Sequence, residues 1–539
     1  MKDLLKRFAL TTVLASSLAG LTGCDVETPV TGDEDDLTSN TARERNMVFE
    51  SYVYVTPGSS DLAILSEVKR QDKSAFGALR NANIAANNRE LADVDVASFV
   101  RENVTLVDPA NPKAPGTPMV RVRYRYTDRA LVPISMAKRT AVSLAVMHGN
   151  YQSQSKRILK ECTDNTSHDQ EFESAIWYVF NPTLDSCRAA MNAEQAAIDA
   201  AHKGLSETQV TKEETTRLYM PITVKLESTK TSTAKTYPEY DQLFSGQGVA
   251  DGQLVISMIS GVMADWAAGE KPELSKDTGY HMYFQQMNEI QKVYPTLKLV
   301  STEGTDLTTF TVGTKTVSGV TWKDLVNWEL NNSGWPTNVT SSSERDKLRV
   351  AVAAKLAKHW LRFEQPVSVK IGSAAATDLT IVINTYYGAE TDDTPHHRAL
   401  ANSDVVIYNG HSYIGAGPLD PNRYGPEDFP STYQLFMFNS CVSFNYYEQD
   451  FFTMHEGGTA TLDMITNGLE SPVAGSGPSV GRFIGALISG KMSPYKDLLA
   501  ATANGSPGTD VGVDALRVVD GEVDNTYKPS KKKITLTAK

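Results

Sequence analysis

Two apolar runs in the chain end in reactive side chains. Residues 404–412 read DVVIYNGHS and put His411 just beyond the first run; residues 433–443 read YQLFMFNSCVS and put Cys441 just beyond the second. A cysteine attacks as its thiolate, and an ordinary thiol pKa of about 8.5 leaves little of that form at neutral pH, so the residue needs a base beside it. An imidazole can take the proton and later return it to a leaving amine. Together the two residue types offer acyl transfer: attack on a carbonyl by Cys441, an acyl-enzyme on its sulfur, and His411 as the proton shuttle.

That chemistry requires elements that bring the two residues together. Both runs are short, rich in β-branched and aromatic residues and bounded by turn formers, as is DLTIVINTYYG at 378–388, so all three read as buried strands of a parallel sheet. Ligands bind beyond the carboxyl ends of such strands, where the loops leave a crevice. His411 and Cys441 both occupy such ends, and if their strands are neighbours, a spacing of about 4.8 Å brings the side chains within reach of a shared substrate carbonyl.

Asn409, Gly410, His411 and Ser412, followed in the chain by Asn439, Ser440 and Cys441, resemble the caspase-like cysteine peptidases, whose members carry a strand ending in His-Gly and a later strand ending in a small residue and Cys. The resemblance covers roughly residues 370–500. It implies His411 as general acid and base, Cys441 as nucleophile, and an oxyanion hole made by the backbone N–H groups of Cys441 and Ser412. Ser412 stands where the family usually has glycine, which keeps the N–H but narrows the backbone's range. A protein or peptide substrate and no cofactor follow from this reading.

The other cysteines belong to an exported chain. MKDLLKRFALTTVLASSLAGLTGC begins with Lys2, Lys6 and Arg7 and continues with an apolar stretch too short to span a bilayer, which is a secretion signal. Leu21, Thr22, Gly23 and Cys24 resemble a bacterial lipobox, implying a signal peptide over 1–23, lipidation of Cys24, and anchoring to the lipid bilayer of the bacterial cell envelope. In that oxidising setting Cys162 and Cys187, 25 residues apart around an aromatic run, are expected to form a disulfide, which leaves Cys441 as a free thiol.

The rest of the chain is organised around this. Its 539 residues predict several domains, and a net charge of -12 without a long basic block argues against a nucleic-acid partner. Residues 24–45 are acidic and poor in large apolar side chains, like a disordered tether. Residues 46–230 mix helical patterns with alternating ones such as Val120, Val122 and Tyr124 in an α+β domain, and 231–340 form a middle region of mixed helix and strand, with helix expected in GQLVISMISGVMADWAA and MYFQQMNEIQKV. Residues 343–363 read as a helix capped by Ser343 and running through Trp360. Residues 341–505 are then an α/β domain with a mostly parallel, caspase-like sheet, and 506–539 a C-terminal extension.

Weaker motifs carry less. Gly477-Pro478-Ser479-Val480-Gly481 matches G-x-S-x-G, but no histidine follows it in the chain, so the segment reads as a glycine-rich approach to a helix. Asp392, Asp393, His396 and His397 lack a metal spacing and read as a solvated turn and helix start, so no metal site is assigned. His455 and Glu456 could line a substrate pocket. The rival functional reading is a non-catalytic surface lipoprotein that binds a protein or glycan partner and uses the α/β domain as scaffold.

Overall fold

The computed structural model describes residues 37–229, 235–264, 273–503 and 515–539. The signal peptide, Cys24 and most of the expected tether lie outside them. The chain forms two compact units, Arg43–Lys230 and Thr231–Lys539 together with the residues up to Ala42. No helix among the described residues is long and apolar enough to cross a membrane.

The unit over 43–230 is α+β. Its sheet contains β1 (Ala42–Val55), β2 (Ala85–Ala86), β3 (Val100–Leu106), β4 (Thr117–Pro133), β5 (Ala141–Met147), β6 (Gln209–Val210) and β7 (Tyr219–Ser228), in the order β5-β7-β1-β4-β3-β6 with β2 beside β4. Val122, Tyr124 and Tyr126 point into the core while Arg123 and Arg125 are exposed, the period-two pattern of a sheet with one wet face. Helix α1 (Asp185–His202) carries Cys187 in its first turn, and the disulfide from there to Cys162 is formed.

The second unit is built on one nine-stranded sheet. Its strands are β8 (Gln253–Gly261), β9 (Lys298–Thr302), β12 (Leu361–Ile371), β13 (Thr377–Gly388), β14 (Val405–Asn409), β15 (Gln434–Asn439), β16 (Leu462–Asn467), β17 (Arg517–Asp520) and β18 (Ile534–Ala538); β10 (Thr309–Val312) and β11 (Lys315–Ser318) form a separate hairpin. The order is β17-β16-β15-β14-β8-β13-β12-β18, with β9 also on β12. The five strands from β16 to β13 run parallel, while β17, β12, β18 and β9 are antiparallel to their neighbours. The sheet is therefore mixed rather than mostly parallel: hairpins and returning edges supply half of its pairings.

Both faces are covered. On one, Ile256, Ile383, Ile407, Leu435 and Met437 pack with helices α2 (Thr278–Val293), α3 (Trp322–Leu330) and α4 (Ser342–Leu356). The alternate residues Tyr408, Phe436 and Phe438 meet α5 (Thr394–Ala401) and α6 (Ser443–Met454) through His396, Phe451 and Tyr447. Helices α7 (Ser476–Ile488) and α8 (Tyr495–Ala503) join the first face, where Val480, Phe483 and Leu498 are buried.

Several sequence expectations change here. The tether ends earlier than residue 45, because Leu37, Thr38 and Ser39 are buried, Thr38 bridges to Val519, and β1 starts at Ala42. Residues 231–340, 341–505 and 506–539 do not separate: β8 comes from the first, β17 and β18 from the last, and all belong to the same sheet. The segment from Gln253 to Gly261, expected as helix, is the strand between β13 and β14. The 343–363 helix begins after Ser341, whose hydroxyl accepts from the Glu344 N–H in a capping box, and it ends at Leu356; Lys358 takes a left-handed φ of 66° and Leu361 opens β12.

Candidate active site

β14 and β15 are parallel neighbours, with Asn409 opposite Asn439 at their carboxyl ends. His411 and Cys441 each lie two residues beyond that pair, so the topology brings them to the same edge of the sheet on adjacent strands. Both are partly exposed. The adjacency that the sequence reading required is present.

The Cys441 turn is held tightly. Ser440 is fully buried, and Val442 adopts φ 52° and ψ 32°, a left-handed conformation that β-branched residues rarely adopt. Helix α6 starts at once with Ser443, whose hydroxyl donates to Phe438 O and accepts from the Asn467 N–H; the Val442 N–H donates to Leu469 O. The turn is thereby tied to β15, β16 and the loop after β16. Cys441 precedes the first turn of α6, where the helix's positive end favours negative charge.

A ladder of amides crosses the same edge. Asn439 Nδ2 donates to Asn409 Oδ1 (2.7 Å), while Asn439 Oδ1 accepts from Ser471 Oγ (2.9 Å), Asn467 Nδ2 (3.2 Å) and Arg517 Nη2 (2.5 Å). Arg517 is buried and also donates from Nε to Asn467 Oδ1. The ends of β14, β15, β16 and β17 are thus locked in one polar network, with a guanidinium behind the cysteine strand.

His411 is held by a residue that the sequence reading missed. Glu390, two residues past β13, is buried, and its Oε1 accepts the His411 N–H (2.6 Å) and the Tyr408 hydroxyl (2.8 Å); the Tyr408 hydroxyl also lies 2.8 Å from His411 O. Burial pushes the Glu390 carboxyl up from its ordinary range, opposed by the charge and N–H of His411 and by the Tyr413 and Tyr408 hydroxyls. The signal available in the sequence was position alone: Glu390 follows a strand end, as His411 and Cys441 do. Arg517 offered none, since its partners come from other strands.

Ser412 is buried, and its carbonyl accepts from the Gly417 N–H (3.0 Å) and the Tyr447 hydroxyl (3.3 Å). Its N–H meets no acceptor among the described residues, the state an oxyanion donor requires. The next two residues, Tyr413 and Ile414, both take positive φ, 48° and 55°, so the loop turns sharply away after His411 and Ser412.

The other candidates lie elsewhere. His455 is buried with Nε2 3.1 Å from Gln434 Oε1, at the first residue of β15 and hence the end of that strand away from Cys441; it does not line the His–Cys edge. His396 is buried against Tyr408 rather than solvated, and His397 Nδ1 lies 2.7 Å from Asp428 Oδ1. No group of three or more His, Cys, Asp or Glu residues able to hold a metal occurs among the described residues. Ser479 is buried within α7 and donates to Thr502 O. The glycines around it serve packing: a methyl at Gly477 would meet Met282 Cα at 2.9 Å, and one at Gly481 would meet Gln286 Cα at 2.9 Å, so they let α7 approach α2 closely. No family model, curated protein or solved structure matches this chain.

Proposed function

We propose that the chain is a bacterial lipoprotein, anchored in the cell envelope through acylated Cys24, whose second unit is a caspase-like cysteine endopeptidase. The observation that carries the reading is the register of β14 and β15, which sets His411 and Cys441 at matching positions beyond adjacent parallel strands. The unacceptored Ser412 N–H, the strained Cys441 turn and the start of α6 support it. Cys441 attacks the scissile carbonyl, His411 takes the thiol proton and returns it to the leaving amine, and water then releases the acyl group from sulfur. The backbone N–H groups of Ser412 and Cys441 would receive the oxyanion.

The test is to treat the mature chain with a thiol-directed peptide-acyl probe at several pH values and to locate the adduct by mass spectrometry. Rapid labelling of Cys441 that is lost in His411→Ala supports an activated dyad. Folded, reduced protein that does not label, or peptidase activity that survives Cys441→Ala, removes the reading.

One observation favours the binding alternative. The 43–230 unit holds a cleft of about 610 Å³ lined by Tyr52, Arg121, Arg123, Gln195, His202 and Glu214, among others, a size suited to small ligands and a lining of planar polar groups around an aromatic ring. Such a cleft suits a sugar unit of a glycan, or a side chain of a protein partner, held without chemistry.

A further inference from the structure

We propose that Glu390 is a positioning residue for His411, fixing its main chain through the Glu390 Oε1 to His411 N–H bond. This rests on reading His411 and Cys441 as the dyad.

Three independent features point to it. First, the hydrogen bond is short, 2.6 Å, and joins a loop after β13 to a loop after β14, although β8 lies between those two strands. A buried carboxylate that crosses an intervening strand to reach one N–H is a brace between strand ends. Second, space has been left for it. A methyl added at Gly261, the last residue of β8, or at Gly410, the first residue after β14, would run into Glu390 Oε1. Neither glycine has a positive φ, so backbone freedom does not require glycine at either site. Clearance for the carboxylate does. Third, the Tyr408 hydroxyl lies within hydrogen-bond distance of both Glu390 Oε1 and His411 O, so the two polar groups of the His411 main chain are tied to one assembly.

The electrostatics agree in direction. Glu390 faces His411, Tyr408 and Tyr413 from β14 and its following loop, and Tyr387 from β13, while Asp277 at the start of α2 lies against the Tyr387 hydroxyl. The His411 N–H and charge offset part of the burial that raises the Glu390 carboxyl, so the bond favours the carboxylate that accepts it.

Glu390→Gln separates charge from geometry, because an amide oxygen still accepts the His411 N–H. In the mature chain, followed by amide hydrogen exchange read by mass spectrometry on peptides spanning residue 411, the His411 N–H of Glu390→Gln should exchange as slowly as in wild type, and that of Glu390→Ala at least about tenfold faster. Glu390→Ala, which also removes the acceptor, should slow probe labelling of Cys441 by at least about tenfold relative to Glu390→Gln. A folded Glu390→Ala protein whose His411 N–H exchanges at the wild-type rate would overturn the proposal, as would a folded Glu390→Gln protein whose His411 N–H exchanges faster than wild type. Should exchange at His411 respond to Glu390 in this way while wild-type Cys441 never labels, the positioning role stands and the peptidase reading falls.

Discussion

Arg517 Nη2 donates to Asn439 Oδ1 at 2.5 Å, two residues before Cys441 in the chain, and Arg517 Nε donates to Asn467 Oδ1 at 2.9 Å. A buried guanidinium thus bonds side chains at the ends of two neighbouring strands at once, using the planar fork that lysine lacks. Its removal takes the Nε donor from the buried Asn467 Oδ1 and one of three donors from Asn439 Oδ1, and burying an unpaired polar group is costly.

Arg517→Lys should therefore cost about 2–4 kcal/mol of stability even though the charge is kept. Urea unfolding followed by tryptophan fluorescence measures this. Because the ladder also fixes the end of β15, the same variant should slow probe labelling of Cys441 in protein that is still folded. A lysine variant with wild-type stability and labelling would mean that the ladder neither holds the strand ends nor aligns the cysteine.

Val442 supplies a test of backbone strain. Its side chain is buried and its φ is 52°, so truncation removes packing, whereas a change to glycine also removes the penalty of a side chain in the left-handed region. Elsewhere at helix positions alanine is favoured over glycine by about 1 kcal/mol. At 442 the order should reverse, with Val442→Gly more stable than Val442→Ala by about 1 kcal/mol. The usual order in urea melts would show that the turn relaxes when the valine is lost.

The opposite end of the sheet predicts a pH dependence. Asp463 is fully buried; burial pushes its carboxyl from 3.8 to about 7, with the charge of Glu239 adding to the rise and the Tyr433, Tyr495 and Asn525 side chains opposing it. Between these values the unfolded chain ionises while the folded one keeps its proton. The folded state then binds more protons, and the Asp463 contribution to stability falls as pH rises from about 4 to about 7. At about 1.4 kcal/mol per pH unit the change amounts to a few kcal/mol. Asp463→Asn keeps an acceptor for the tyrosine hydroxyls and loses this slope, so its stability relative to wild type should improve from pH 5 to pH 7.5. A difference between the two that does not vary over that range would contradict the assignment.

The strands that carry His411 and Cys441 were legible because a strand buried on both faces is written as an unbroken apolar run ending in turn formers. The same feature misled at β8: GQLVISMISG continues into VMADWAA, and only the neighbours β13 and β14 distinguish a strand there from a buried helix. Ser341 was passed over for Ser343 because three serines run together at the start of the helix, and the cap is the one that has Glu344 three residues ahead. Glu390 and Arg517 were not legible at all. Their meaning lies in partners 21 and 78 residues away that the topology brings to them.

The glycine at 261 tests that topology directly. A methyl there points at the Glu390 carboxylate and at no other group within contact range among its three nearest atoms, all of which belong to Glu390. Gly261→Ala alone should destabilise by about 1–3 kcal/mol, the usual range for overpacking, because a buried carboxylate bonded to the His411 N–H cannot swing aside without giving up that bond. In a Glu390→Ala background the obstacle is gone, and the added methyl should cost little. The two changes should therefore couple by at least about 1 kcal/mol, far above the few tenths expected of independent sites. Additive losses would mean that Gly261 is constrained by something other than the carboxylate, and the clearance argument for Glu390 would lose its footing.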